Sequence, residues 1–339
     1  MMKTTIRLRF IILTAAPLFS MSVPLSASAQ SLPGDANDDG QVTIADVVTL
    51  IDYLLTGDGS SINLENSDLD GDRIVSISDI TFLIDYLIYG PPEENVPQTE
   101  TFTVEGVSFT MVFVQGGTYI MGSGINSDDT PHWVTLSDFS IGQTEVTQEL
   151  WLAVMGYNPS WFCSNEGYED NLQRPVEEVD WYMCQDFIAK LNRLTGRTFR
   201  LPTEAEWEFA AKGGNRSRDY LFSGSNDIDE VGWYGLNLPP ECGWSTQSVG
   251  MKKPNELGIY DMTGNVFELC QDWFGKYPDY PQTNPTGPSE DEIGAGKVVR
   301  GGSWYETSPE KLYTTSHMFS IYLYGISTNV GLRLVISNQ

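Results

Sequence analysis

The hydrophobic positions of this chain follow two regimes. Between residues 34 and 90 they recur with a helical period. Val47, Leu50, Ile51 and Leu54, then Ile80, Leu83, Ile84 and Leu87, each fall at i, i+3, i+4 and i+7. This predicts two amphipathic helices, each followed by a glycine, Gly57 and Gly90, where left-handed backbone is favoured. From about residue 105 the period shortens. "FTMVFVQGGTYIMGS" alternates apolar and polar residues, as strands do, and turns on Gly116-Gly117. Two helices are predicted within this part. One follows the capping box of Thr203 and Glu206. The other is capped by Asp180, runs through Asn192 and carries the apolar stripe Trp181, Cys184, Ile188 and Leu191. Much of the rest has no period, although the chain holds nine tryptophans, so irregular loops pinned by aromatic side chains are expected. "PPEENVPQTETFTV", residues 91–104, reads as a linker entering a strand. The expectation is a small all-α unit at 34–90 and an irregular α+β domain at 105–337.

The first 29 residues read as a signal peptide. Lys3, Arg7 and Arg9 precede a short apolar run, Phe10 to Phe19, and Ala27-Ser28-Ala29 offers a small-residue cleavage site. No later stretch is apolar enough to span a bilayer, so an exported, released protein is expected. Among 339 residues, 46 are acidic and 19 basic, a formal charge of −27. Such a surface repels phosphate backbones, which argues against nucleic acid as a partner. Solubility and cation binding remain as uses of the acidity. Of four cysteines, Cys184 lies on an apolar stripe and reads as a buried free thiol, whereas Cys163 and Cys242 stand in polar segments and could pair. Cys270 completes the set, and the pairing stays open.

The acidic residues of the first unit are placed with a constant offset of 33. Asp35, Asn37, Asp39 and Asp46 occupy positions 1, 3, 5 and 12 of a twelve-residue loop, and Gly40 holds position 6, where the chain must turn. The Gln41 carbonyl stands at position 7. The second copy offers Asp68, Asp70, Asp72 and Asp79 with the Ile74 carbonyl, but Arg73 replaces the glycine. Calcium requires six to eight oxygens, which carboxylates at alternate loop positions supply. A left-handed non-glycine residue costs about 1–2 kcal/mol. A micromolar site is worth about 8 kcal/mol, so the second site is expected to be weakened rather than lost. Two loop–helix units of this spacing resemble the type I dockerin domain. The resemblance implies about two calcium ions and a cohesin-bearing scaffold or surface protein as partner. Partner choice would fall on loop positions 10 and 11, here Ile44-Ala45 and Ile77-Ser78. A dockerin serving only as a folded spacer is the alternative.

In the larger part, "GGTYIMGS", "TEVTQELW", "PVEEVDWYMCQDF", "RLPTEAEWEFAAKGG", "PNELGIYDMTGNVFELCQDW", "RGGSW" and "GLRLV" appear in one order. These seven blocks resemble the formylglycine-generating enzyme family, the sulfatase-modifying factors. The resemblance implies an α+β, C-type-lectin-like fold with little regular structure and at least one calcium ion. Its ligands would be the Asp261 and Glu268 side chains and the Gly264 and Val266 carbonyls; ordinary turn charges are the alternative for both acids. In catalytic members two cysteines five residues apart follow the GGS and bind copper. Here Ser303 matches the serine, but the cysteine positions fall on Glu306 and Lys311. Cu(I) selects soft thiolates, so no copper is expected. His132 and His317 are the only histidines, too few for the three-histidine iron site of the related sulfoxide synthases. The tryptophan usual after "GNV" is Phe267.

Two functions remain in view. One is a dockerin-tethered, non-catalytic binding module for carbohydrate or protein in a cell-surface or cellulosome-like, polysaccharide-processing assembly. The other is an oxidoreductase acting on sulfatase cysteines through other ligands. Retroelement-diversified binding proteins use this fold and vary its last strand-and-loop region. There the chain carries Ser303, Trp304, Tyr305, Tyr313, His317, Phe319, Tyr322 and Tyr324. Rings with a polar tip suit a contact surface, and core packing is the alternative use for several of them.

Overall fold

The computed structural model describes residues 32–69, 74–89, 97–163, 171–240, 243–289, 296–317 and 320–337. The expected signal peptide, Asp70, Asp72, Arg73, Gly90, the first half of the linker, Cys242 and Phe319 lie outside them, as does the side chain of Ser78. The chain divides into two compact units, 1–94 and 95–339. No helix among the described residues is long and apolar enough to cross a membrane.

In the small unit α1 spans Ile44–Thr56, a short turn of helix α2 spans Leu64–Ser67, and α3 spans Ile77–Tyr89. Asp46 fixes the start of α1, its Oδ2 accepting the Thr43 N–H at 2.8 Å. Gly57 ends the helix with φ +70° and its N–H on the Tyr53 carbonyl. Ala36, Val47, Leu50 and Leu83 form the core, with Ile80, Tyr86 and Leu87 packed around it. Ile51 and Ile84, expected on the inner stripe, are instead more than a third exposed. The reason is geometric: the core of the unit is small, centred on Ala36, Val47, Leu50 and Leu83, so only a narrow seam closes. Ile51 joins Ile44, Val48 and Leu55 in an exposed apolar row at i, i+4, i+7 and i+11 of α1.

The large unit is built on three sheets. The first has the order β1-β2-β5-β12-β6, from Thr99–Val104, Val107–Val114, Phe139–Gly142, Val335–Ser337 and Phe199–Arg200. Residues 99–104, the tail of the expected linker, are thus a paired strand, and Phe102 packs on Phe109 and Phe199 at 5.5 and 5.3 Å. The helices α4, Gln148–Met155, and α5, Trp181–Thr195, pack on this sheet and stack Trp151 on Phe187 at 4.8 Å. Asp180 caps α5 through the Met183 N–H. The second sheet, β10-β9-β7-β11, uses Ser320–Ile321, Lys297–Arg300, Phe267–Trp273 and Val330–Leu332. The third, β3-β4-β8, uses Thr118–Met121, His132–Thr135 and Gln282–Thr283.

Helix α6, Glu204–Ala211, packs on β3, β7 and β9 and is buried on every side. Thr203 and Glu206 form the predicted capping box. An amphipathic helix would leave its glutamates in water, yet Glu204, Glu206 and Glu208 are all buried. Each has a cationic partner: Glu206 meets Arg200 at 2.6 Å, Glu208 meets Arg300 at 2.6 Å, and Glu204 meets His317 at 2.7 Å. Arg300, on β9, is fully buried and also donates to the Thr314 and Ser316 carbonyls. Removing one partner of a buried pair strands the other, at a cost of about 3–5 kcal/mol. Arg300→Met is therefore expected to destabilise the chain by about that amount in urea unfolding. Lys253→Met, which breaks the exposed pair with Glu230, should change stability by less than about 1 kcal/mol.

Candidate functional site

Between Gly34 and Gly90 stand twelve acidic residues and one basic residue, Arg73. Asp35, Asp46 and Asp79 are buried. Their oxygens gather backbone N–H groups. Asp35 accepts from Asp39 and Gly40 at 3.0 and 2.8 Å, Asp46 from Asn37 and Thr43, and Asp79 from Leu69 and Ser76. Gly40 turns with φ +84°, as position 6 demands. Asp39 is exposed, with its carboxylate on the Gln41 N–H, and Asn37 is half-buried beside it. Among the described residues no three His, Cys, Asp or Glu side chains already converge as a metal site. The donor set still fits calcium: it is all oxygen, strongly anionic, and includes buried carboxylates. Ile44, Ala45 and Ile77 of the expected partner face are exposed, as is Ile74.

The 303–324 segment of the large unit divides sharply. Ser303 and Trp304 are buried, with Trp304 Nε1 donating to the Thr328 carbonyl at 3.0 Å. Tyr305, Tyr322 and Tyr324 are exposed, and Tyr324 packs against Tyr182 at 4.7 Å. Exposed Trp244 lies edge-on to Tyr305 at 5.8 Å, an aromatic that sequence reasoning missed because it comes from a distant loop without periodicity. Tyr313 is half-buried against Phe222 and belongs to a core cluster. His317, expected at a ligand surface, is buried between Glu204 and the Gly275 carbonyl and stacks on Phe274 at 4.4 Å. These two are therefore packing residues. The Lys311 ammonium lies 2.9 Å from Glu306 Oε2, an ion pair that occupies the two positions of the expected copper cysteines. A turn of 3₁₀ helix, Pro309–Leu312, and the Glu306 carbonyl bonded to the Gly235 N–H hold the pair in place.

The family profile described as "Sulfatase-modifying factor enzyme 1-like domain" matches residues 96–338. The chain belongs to this family. A second profile, "Dockerin type I domain", matches residues 33–88. Among curated proteins, "Chaperone protein LppX" of Paenibacillus barcinonensis is 35% identical over 277 residues, covering 68% of this chain and 90% of that protein. The "Formylglycine-generating enzyme" of Streptomyces coelicolor is 36% identical over 142 residues, or 38% of this chain, which spans only 42% of that enzyme. The solved "Treponema denticola variable protein 1" shares 35% identity with a TM-score of 0.63, over 71% of this chain and 99% of that one. PvdO from Pseudomonas aeruginosa, at 22% identity and a TM-score of 0.57, covers 71% of this chain and 99% of its own and shows the fold alone.

The sulfatase-modifying-factor domain also holds the residues expected to bind calcium. Gly264 turns with φ +81°, and a Cβ there would meet the Trp233 carbonyl oxygen at 2.2 Å. Val266 follows it, donating its N–H to Glu145 at 3.1 Å. Asp261 is buried with Oδ2 on the Gly250 N–H at 2.6 Å, while Oδ1 has no partner. Glu268 does not share that freedom. It is clamped by Arg333 through both oxygens at 2.6 and 2.8 Å and accepts the Trp207 indole N–H. Burial pushes the Asp261 carboxyl up to about 6, against the pull of the Gly250 N–H and Arg333. Burial likewise holds Glu145 well above the usual carboxylate range, with Asp261 and Glu268 beside it. Three carboxylates thus share one guanidinium, and the free Asp261 oxygen is the atom that fits a cation.

Cys163, Cys184 and Cys270 are buried free thiols. Cys163 is free, so the bridge to Cys242 that the sequence allowed is not made.

Two outcomes test these sites. In calcium titrations of the full chain, Asp35→Ala with Asp46→Ala should remove about one equivalent of bound ion, since two of three first-loop carboxylates are lost. The second outcome concerns pH. Burial alone would lower the His317 pKa, but the Glu204 carboxylate outweighs it and the net shift is upward. A raised folded pKa gives stability present in full below about 6.5 and lost as pH rises through the folded value. The stability advantage of the native chain over His317→Phe should therefore shrink from about pH 6 upward in denaturant titrations.

Proposed function

We propose that this chain is an exported protein, held by its dockerin to a cohesin-bearing scaffold or surface protein. Its sulfatase-modifying-factor domain is a non-catalytic binding module in a polysaccharide-processing assembly. The observation that carries the reading is the Glu306–Lys311 ion pair. Oxidising a cysteine with oxygen in this family relies on copper held by thiolates, and a carboxylate neutralised by an ammonium offers Cu(I) no soft ligand. Next to that pair in sequence Tyr305, with Trp244 edge-on to it, leaves aromatic surface in water, and Tyr322 and Tyr324 further along the segment are exposed too. The relative named as a chaperone supports a protein as the occupant of this surface. The exposed apolar row of α1 supports docking of the small unit onto a partner. Calcium orders the dockerin, about two ions in number, and one more ion takes the free oxygen of Asp261.

A sulfatase peptide carrying the target cysteine, incubated with the purified chain, copper and oxygen, should show no mass change. Turnover above a copper-only control would overturn the reading. Glu306→Cys with Lys311→Cys should restore Cu(I) binding, measured by competition with a colorimetric chelator.

A further inference from the structure

Helix α5 carries a face that the fold leaves open. Its apolar stripe of Cys184, Phe187, Ile188 and Leu191 is buried, while Tyr182 and Asp186, one turn apart, are exposed on the other side.

Tyr182 is part of a fixed aromatic group. The loop after β10 is fastened to the start of α5 by two backbone hydrogen bonds. Trp181 N–H donates to the Leu323 carbonyl at 3.2 Å, and Glu178 N–H donates to the Ser327 carbonyl at 3.1 Å. They hold Tyr324 against Tyr182, with ring centroids 4.7 Å apart and planes inclined by 35°. Tyr324 is 76% exposed, so most of its ring meets water. A third exposed tyrosine, Tyr157, comes from just beyond α4. It lies edge-on to Trp151, which stacks on Phe187, the neighbour of Asp186. Burial, Asp186 and Asp180 together push the Tyr157 phenol up from its ordinary value, so both carboxylates stand near its hydroxyl.

The charge of this face is one-sided. Among the described residues no cation lies within ion-pair distance of Asp180 or Asp186. Lys190 and Arg193, one and two turns further along α5, form no ion pair with either. Lys297 sits 5.0 Å from the Trp181 ring, but its ammonium donates to the Gln271 carbonyl at 2.8 Å and lies over Trp273 at 4.0 Å. Glu178 adds a carboxylate of the same sign before the cap.

Exposed rings beside carboxylates suit a guanidinium. Its plane stacks on an aromatic face while its N–H groups pair with a carboxylate. An ammonium is more strongly hydrated and lacks the plane. An apolar partner would strip water from the carboxylates without replacing it. An acidic one would meet a chain of net charge −27.

We propose that this face docks a protein partner through an arginine side chain, stacked on Tyr182 and Tyr324 and paired with Asp186. The inference rests on the proposed function in taking a protein as occupant, and it adds the chemistry of the contact.

The probe is a blocked peptide, Gly-Arg-Gly-Arg-Gly-Arg, titrated calorimetrically into the full chain, with lysine and glutamate versions as counterparts. The arginine peptide should saturate and bind more tightly than the lysine peptide, and the glutamate peptide should not bind. Tyr182→Ala and Asp186→Asn should each weaken binding about fivefold with an unchanged melting temperature, because both positions are exposed. Asp128→Asn, the same charge change on the loop between β3 and β4, should leave binding intact. The proposal is overturned if the arginine peptide does not saturate at millimolar concentration, or if the lysine peptide binds as tightly. It is equally overturned if Tyr182→Ala or Asp186→Asn leaves affinity unchanged, or if Asp128→Asn weakens binding as much as Asp186→Asn. Any of these results, with the copper and turnover tests of the proposed function giving their expected outcomes, sinks this inference alone.

Discussion

Buried charge is the constraint on which both units depend. In the large unit Arg300 and Arg333 are wholly enclosed, and each ties together elements far apart in sequence. Arg333 joins Glu268 of β7 to the carbonyls of Gly142 and Tyr260. Arg300 joins α6 to the loop after β9 through Glu208 and Thr314. With so little regular secondary structure, such multi-dentate contacts do what sheet ladders do in a more regular domain. In the small unit the buried carboxylates of Asp35 and Asp46 gather backbone N–H groups of their own loop and so fix its turn and the start of α1.

How much of this was readable in the sequence depends on the range of the interactions involved. Local rules worked well. The caps at Asp180 and Thr203 and the glycine stop at Gly57 follow from a few adjacent residues, and the structure has each of them. The strand alternation of 109–123 likewise became β2 and β3. The seven ordered motifs identified the family. What failed was burial set by distant partners. Ile51 and Ile84 sit correctly on their helices, but the unit has too few elements to cover them. His317 looked like a contact residue until Glu204, 113 positions away, proved to be its partner. The burial of all three glutamates of α6 was equally invisible, because their cations come from β6, β9 and the 303–317 loop.

The stretch after β9 combines tight packing with a charge pair at its surface. The backbone turn after Gly301-Gly302 still delivers Ser303 inward and Trp304 against Phe162 and the Thr328 carbonyl. The side chains at 306 and 311 satisfy each other across the same stretch.

The three buried thiols carry a further consequence. Burial pushes the Cys184 and Cys270 thiols well up from their ordinary values, so almost none of either exists as thiolate. Oxidants and exchanging disulfides react with the thiolate, and they must also reach it. At Cys184 and Cys270 the interior of the large unit therefore needs no particular redox environment, and both sulfur atoms serve as apolar packing.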